Sequence, residues 1–234
     1  MNFKLTNIPP KIVQMHIPKC GGTSITDAFA KLYKNKEICP ARSEPSFKIT
    51  DIDDYKYFTG HIGFKLSNSL NANIVTILRN PVDRFISVYN YWNQLHENGE
   101  STYGVKTAWA LDIEEFVEYF NEVYLIEEFF NRMTWQVAHS HHLFRRRELL
   151  GIAQEDLLEL AIKNLRKCSV VGFLDDIPKF THDCRDILGI DLDIKEKNVT
   201  QEKYKNNSVS ADVRKKIEKW VMLDLNLYEH AKSQ

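Results

Sequence analysis

The sequence is short of several things, and each shortage removes a class of protein. No apolar stretch in its 234 residues approaches the roughly 20 residues a membrane-crossing helix needs. The opening "MNFKLTNIPPKIVQMHIPKC" also lacks the apolar centre of an export signal, so a soluble, cytoplasmic chain is expected. Cysteine is sparse. Cys20, Cys39, Cys168 and Cys184 have neither C-x-x-C spacing nor the density of a secreted disulfide scaffold, and free thiols are expected. Charge of one sign is not in excess: 31 Lys and Arg stand against 32 Asp and Glu, a net charge of -1. Such a chain carries no global field to draw it onto nucleic acid or an anionic membrane, so any anion site must be built locally. Repeats, low-complexity tracts and linker-like segments are missing too.

What is present is a chain with 43% hydrophobic residues, enough for one substantial core, and a single domain over residues 1–234 is expected. "KIVQMHI" (11–17), bounded by Pro10 and Pro18, reads as a buried strand, and Ile25, Ala28, Phe29 and Leu32 then recur at helical spacing. Residues 35–54 read as an irregular excursion. "YKYFTGHIGF" (55–64) and "ANIVTILR" (72–79) read as further strands, the second followed by a helix opening at Pro81 with Phe85, Val88, Tyr89 and Trp92 on its apolar face. Residues 112–165 are mostly helical in pattern, "SVVGFLDD" (169–176) is another strand, and a helix follows Pro178. One long helix capped near Ser208 or Ser210 closes the chain. Strands alternating with helices predict an α/β fold: a three-layer α/β/α sandwich on a mainly parallel sheet, whose ligands collect beyond the carboxyl ends of the strands.

Two strand-to-helix junctions carry the chemistry. The first, "HIPKCGGTSI" (16–25), offers Lys19, two glycines, two hydroxyls and a helix start, the parts of a phosphate cradle. It is not a Walker A loop, in which lysine follows the glycines; here Lys19 precedes them. Taken alone it also suits an ordinary glycine turn. At the second, "TILRNPVDRFISVYNYW", Arg79 ends a strand and Ser87 lies eight residues on, with Arg84, Ser87 and Tyr91 on one flank of the helix. A guanidinium and a hydroxyl near a strand end suit a phosphate.

"HIPKCGGTS" together with "LRNPVDRFISVY" resembles the sulfotransferases that use 3′-phosphoadenosine 5′-phosphosulfate (PAPS), in particular the heparan sulfate 2-O- and 6-O-sulfotransferase branch. "TGHIGF", "VGFLDD" and "LDLNLYEHA" also look like family segments, so the likeness spans most of the chain. It implies a P-loop-like sulfotransferase fold. The first loop (Lys19, Cys20, Gly21, Gly22, Thr23 and Ser24) would hold the 5′-phosphosulfate, and Arg79 and Ser87 the 3′-phosphate. It implies PAPS as donor, adenosine 3′,5′-bisphosphate as product, a small-molecule or glycan acceptor with a free hydroxyl, and no metal.

Sulfuryl transfer needs a base for the acceptor hydroxyl and charge stabilisation at the departing phosphate. His61 is the candidate base, since an imidazole with an unperturbed pKa of about 6.5 accepts a proton at neutral pH. Lys19 is the candidate for the leaving oxygen. The 2-O branch has a second histidine two residues before the base; Thr59 stands there in this chain, a departure that bears on the acceptor. His16 is expected to position the loop. "HSHHLFRRRE" (139–148) suits a solvated helical face or a patch for an anionic glycan, and "NVTQEKYK" (198–205) a loop folding over the nucleotide. A P-loop-like phosphotransferase and a non-catalytic nucleotide or glycan binder are the alternatives.

Overall fold

A computed structural model of the chain describes residues 9–47, 49–119, 126–141, 153–195 and 209–234. Four strands, β1 (Ile12–Met15), β2 (Tyr57–Gly60), β3 (Asn73–Leu78) and β4 (Val170–Phe173), make one sheet in the order β2-β1-β3-β4, with every neighbouring pair parallel. The α/β class is as expected. Each strand is shorter than its apolar run: the chain leaves the sheet at His16, His61 and Leu174, where loops at the carboxyl edge begin.

Alternate side chains of a strand face opposite sides of a sheet. Ile12 and its partner Tyr57 accordingly enter the largest core cluster, with Phe29, Met133, Ala161, Phe180 and Leu227 from the covering helices. Val13 and Phe58 enter a separate cluster on the other face, with Cys39, Ile62 and Leu70. Both faces are therefore covered, which explains why these strands are near-continuous apolar runs.

The described helices are α1 (Gly22–Ala30), α2 (Phe64–Ser69), α3 (Pro81–Glu97), α4 (Tyr103–Ala110), α5 (Ile113–Tyr119), α6 (Ile126–Phe129), α7 (Arg132–Ala138), α8 (Gln154–Leu165), α9 (Ile177–Leu188), α10 (Ala211–Trp220) and α11 (Met222–Lys232). The C-terminal segment corrects the expectation of one long helix. Ser210 does cap it, accepting the Val213 amide at 3.3 Å, but the helix breaks at Val221. The break lets α10 bury Val213 and Ile217 against α3 and α5, while α11 buries Leu223, Leu227 and Tyr228 in the sheet's own core. A straight helix could not serve both.

At the start of α3, Asn80 Oδ1 accepts the amides of Val82 (3.1 Å) and Asp83 (3.2 Å), ahead of Pro81 in the first turn. Asn80→Ala removes this cap and should cost about 1 kcal/mol, read as a lower urea midpoint at unchanged slope. All four cysteines are free thiols. Among the described residues no helix is long and apolar enough to cross a membrane.

Candidate active site

The register of the sheet builds the site. Met15 pairs with Gly60 and Leu78 with Phe173, so the next residues along the neighbouring strands leave the sheet at one common edge. His16 and His61 emerge side by side there, with ring centroids 5.1 Å apart and the rings edge to face. Arg79 leaves β3 on the far side of β1.

The loop after β1 turns sharply. Lys19 takes φ 65° and Gly21 φ 78°, and a side chain on Gly21 would also meet Leu174 Cδ1 at 2.5 Å. Gly21 is the N-cap of α1 and has no side chain with which to accept a first-turn amide; the first turn holds no acidic residue. Uncapped amides at a helix start, with Thr23 and Ser24 in the same turn, are of the kind that suits an anion. Gly22 packs directly under His16: a Cβ there would lie 2.0 Å from the imidazole. Burial, reinforced by His61 and Lys19, pushes the His16 pKa down to about 4, so this ring is neutral at physiological pH.

Lys19 extends its Nζ over the ring of Tyr91, 4.0 Å from the centroid. Burial, with Arg79 and Arg84 nearby, lowers its pKa to about 8. Cys20 differs from the rest of the loop. Its side chain is buried, its amide donates to Ile17 O at 3.3 Å, and burial pushes its thiol up to about 11, so it packs the turn rather than facing outward.

The two junctions meet through one contact. Arg79 Nη1 donates to Lys19 O at 3.1 Å, across 60 positions of sequence. The left-handed conformation of Lys19 belongs to the same turn that presents this carbonyl. Ser87 lies two turns into α3 and is buried, and Tyr91, one turn further, meets Lys19. Arg84, on the same flank, is fully buried and its Nη1 donates to Glu128 O at 2.8 Å, so it braces α3 against α6.

His61 is exposed, its backbone amide held by Arg42 O at 2.8 Å. Thr59 is buried on β2, where its hydroxyl bonds Gln14 Oε1 at 3.0 Å; Thr26 reaches the same oxygen at 2.9 Å. Gln14 Nε2 in turn donates to Gly22 O at 3.1 Å. Thr59 is thus part of a buried network joining β1, β2 and α1.

Several contributors gave no signal in the sequence. Gln136 Nε2 donates to both His16 O (2.9 Å) and Ile62 O (2.7 Å), tying the ends of β1 and β2 together from α7. Glu44 is buried and accepts the Gly63 amide at 2.7 Å, the His141 amide at 3.1 Å and the Ser140 hydroxyl. The 139–148 run is corrected where it is described. α7 ends at Ala138, and His141 turns inward, 5% exposed, to stack on His61 with centroids 4.7 Å apart. Its remainder, and the 198–205 segment expected to fold over the nucleotide, lie outside the described residues. Among the described residues no group of three or more His, Cys, Asp or Glu is arranged to hold a metal ion.

Comparison with known proteins bears on this edge of the sheet. A family model described as "Sulfotransferase family" matches residues 5–231, nearly the whole chain and both junctions. A search of curated proteins gave no match.

Proposed function

We propose that this chain, which belongs to the sulfotransferase family and so is a sulfuryl transferase, takes its sulfuryl group from PAPS and passes it to a hydroxyl of a carbohydrate acceptor, with His61 as general base. The observation that carries the reading is the Arg79 to Lys19 O bond, which sets the second junction against the first so that one nucleotide with phosphates at both ends can span them.

The residues fit such a donor. The loop offers a helix start without a side-chain cap or acidic residue, plus an ammonium. Amides from Gly22 to Ser24 hold the 5′-phosphate, and Arg79 with Ser87 holds the 3′-phosphate. Bound PAPS supplies an electrophilic sulfur and a phosphate leaving group. His61 takes the proton from the acceptor hydroxyl as its oxygen bonds to sulfur. The bridging sulfur–oxygen bond breaks, and Lys19 neutralises the charge that collects on the departing phosphate. The preference for a carbohydrate rests on the branch that the two motifs resemble.

Two measurements test this. Incubating the protein with PAPS and a panel of sugars, lipids and phenols should add one sulfo group to a sugar by mass spectrometry, without a divalent cation. Magnesium-dependent transfer from ATP in its place would support the phosphotransferase alternative. In calorimetry, Lys19→Ala and Arg79→Ala should each weaken adenosine 3′,5′-bisphosphate binding by about tenfold or more, in line with loss of a charge-assisted contact. Unchanged affinity in both variants removes the site assignment. In the wild type, affinity should fall as pH rises through about 8, because Lys19 attracts phosphate only while protonated; the Lys19→Ala variant should lack this limb.

A further inference from the structure

Three imidazoles meet beyond β1 and β2, and the third, His141, has polar side chains against both of its ring nitrogens. Gln136 spends its amide donors on His16 O and Ile62 O, which leaves Oε1 as an acceptor, 3.2 Å from His141 Nδ1. Arg132, itself buried, brings Nη2 to 2.6 Å from His141 Nε2 and 2.8 Å from Nδ1. A guanidinium only donates. The arrangement that satisfies both neighbours has the proton on Nδ1, donated to Gln136, and a lone pair on Nε2, accepting from Arg132. A second proton would leave no ring lone pair for the guanidinium and would set both N–H groups within 2.8 Å of it.

We propose that His141 is the positioning residue for the His61 base: clamped as a neutral ring between Gln136 and Arg132, it holds the His61 imidazole in place and keeps it unprotonated. The planes of the two rings lie 21° apart at a 4.7 Å centroid separation, whereas His16 meets His61 edge-on. The clamp rests on the reading of His61 as the base.

Among the described residues, the titratable and charged groups about His61 and its neighbours are His16 at the end of β1, Lys19 from the loop, Arg42 and Glu44 from the stretch beside β2, Glu128 from α6, and Arg132 and His141 from α7 and its following turn. Three of these are cations. Of the carboxylates, Glu44 is engaged by two backbone amides and a hydroxyl, and Glu128 lies 3.8 Å from Arg132 Nη2. Removing the His141 ring uncovers the face of His61 stacked on it, which favours the charged form and loosens the ring.

The test uses the full chain with labelled histidines, following the Cε1–H signals of His61 and His141 against pH, beside kcat and KM for PAPS. In the wild type, the His141 signal should not titrate between pH 5 and 8. In His141→Ala, the His61 titration should move up by about half a unit or more. Its kcat should fall about tenfold to a hundredfold, with KM for PAPS unchanged, the effect of a reacting group held loosely. His141→Phe, which keeps a flat ring against His61, should recover most of kcat. A His141 that titrates near the usual histidine value in the wild type overturns the clamp without recourse to any variant. So does an unmoved His61 titration in His141→Ala. If sulfated product forms while both variants turn over and titrate like the wild type, the clamp fails and the sulfuryl-transfer reading stands. If no acceptor is ever sulfated but the titrations move as described, the clamp stands and that reading fails.

Discussion

His61→Ala should lose at least a hundredfold in kcat while binding adenosine 3′,5′-bisphosphate as tightly as the wild type. The size follows from what a positioned general base contributes, about 10²- to 10⁴-fold. The separation of the two effects follows from the geometry. His61 stands at the end of β2, whereas the proposed nucleotide contacts come from the loop after β1 and from α3, so removing the imidazole leaves the helix start, Lys19 and Arg79 as they are. Neither neighbouring ring can take over. His16 has its pKa lowered to about 4, too weak a base at neutral pH, and its ring is packed on Gly22. His141 is buried against Arg132. Turnover at the wild-type rate by His61→Ala, measured as labelled sulfate transferred to the accepted sugar, would show that another group takes the proton.

The second large effect is on stability. Gly60, the last residue of β2, takes φ 149°, a conformation that residues with a side chain rarely adopt, and a Cβ there would lie 2.2 Å from the backbone oxygen of Arg42. That oxygen also accepts the His61 amide at 2.8 Å and cannot swing away without releasing it. Backbone strain and a clash with main chain each cost about 1–3 kcal/mol, so Gly60→Ala should destabilise by roughly 3 kcal/mol or more. The check is the urea midpoint, with nucleotide binding on the folded fraction as a second reading. A change below about 0.5 kcal/mol, the range of an ordinary surface substitution, would mean that the strand end relaxes freely.

Much of this protein is legible along the chain because its signals are short. Pro18, Gly21 and Gly22 interrupt the apolar run of β1, and Asn80 and Pro81 do the same after β3. Each interruption marks a strand-to-helix junction through conformational preferences that act over a few residues. Cys20 shows the limit of that reading: as part of the motif it looked like a contact, but the turn that puts Lys19 and Gly21 at positive φ carries its side chain inward. The break at Val221 was hidden for a related reason. Helical spacing runs through it unbroken, and only the presence of two separate cores makes the bend favourable.

The charged and histidine-rich run at 139–148 misled for the opposite reason. Composition alone describes it as solvated, yet His141 is buried because Arg132, nine positions earlier, and Gln136 turn polar groups inward to meet it. Gln14, Glu44 and Gln136 are single polar residues without motif or period. Their roles exist only through partners such as Gly22, Gly63 and Ile62, brought close by the fold.

The sequence by itself determined where strands give way to helices, which residues are the candidates for phosphate binding and for the base, and the family to which the whole-chain match assigns the protein. Only the tertiary structure decided who stands beside whom. Arg79 finds Lys19 O, and His61 comes between His16 and His141, through parallel pairings that close loops of tens of residues. The register of such pairings is set by burying both faces of the sheet at once, and a slip of one residue would send His61 to the other side. That condition belongs to the packed molecule, and no stretch of the chain carries it alone.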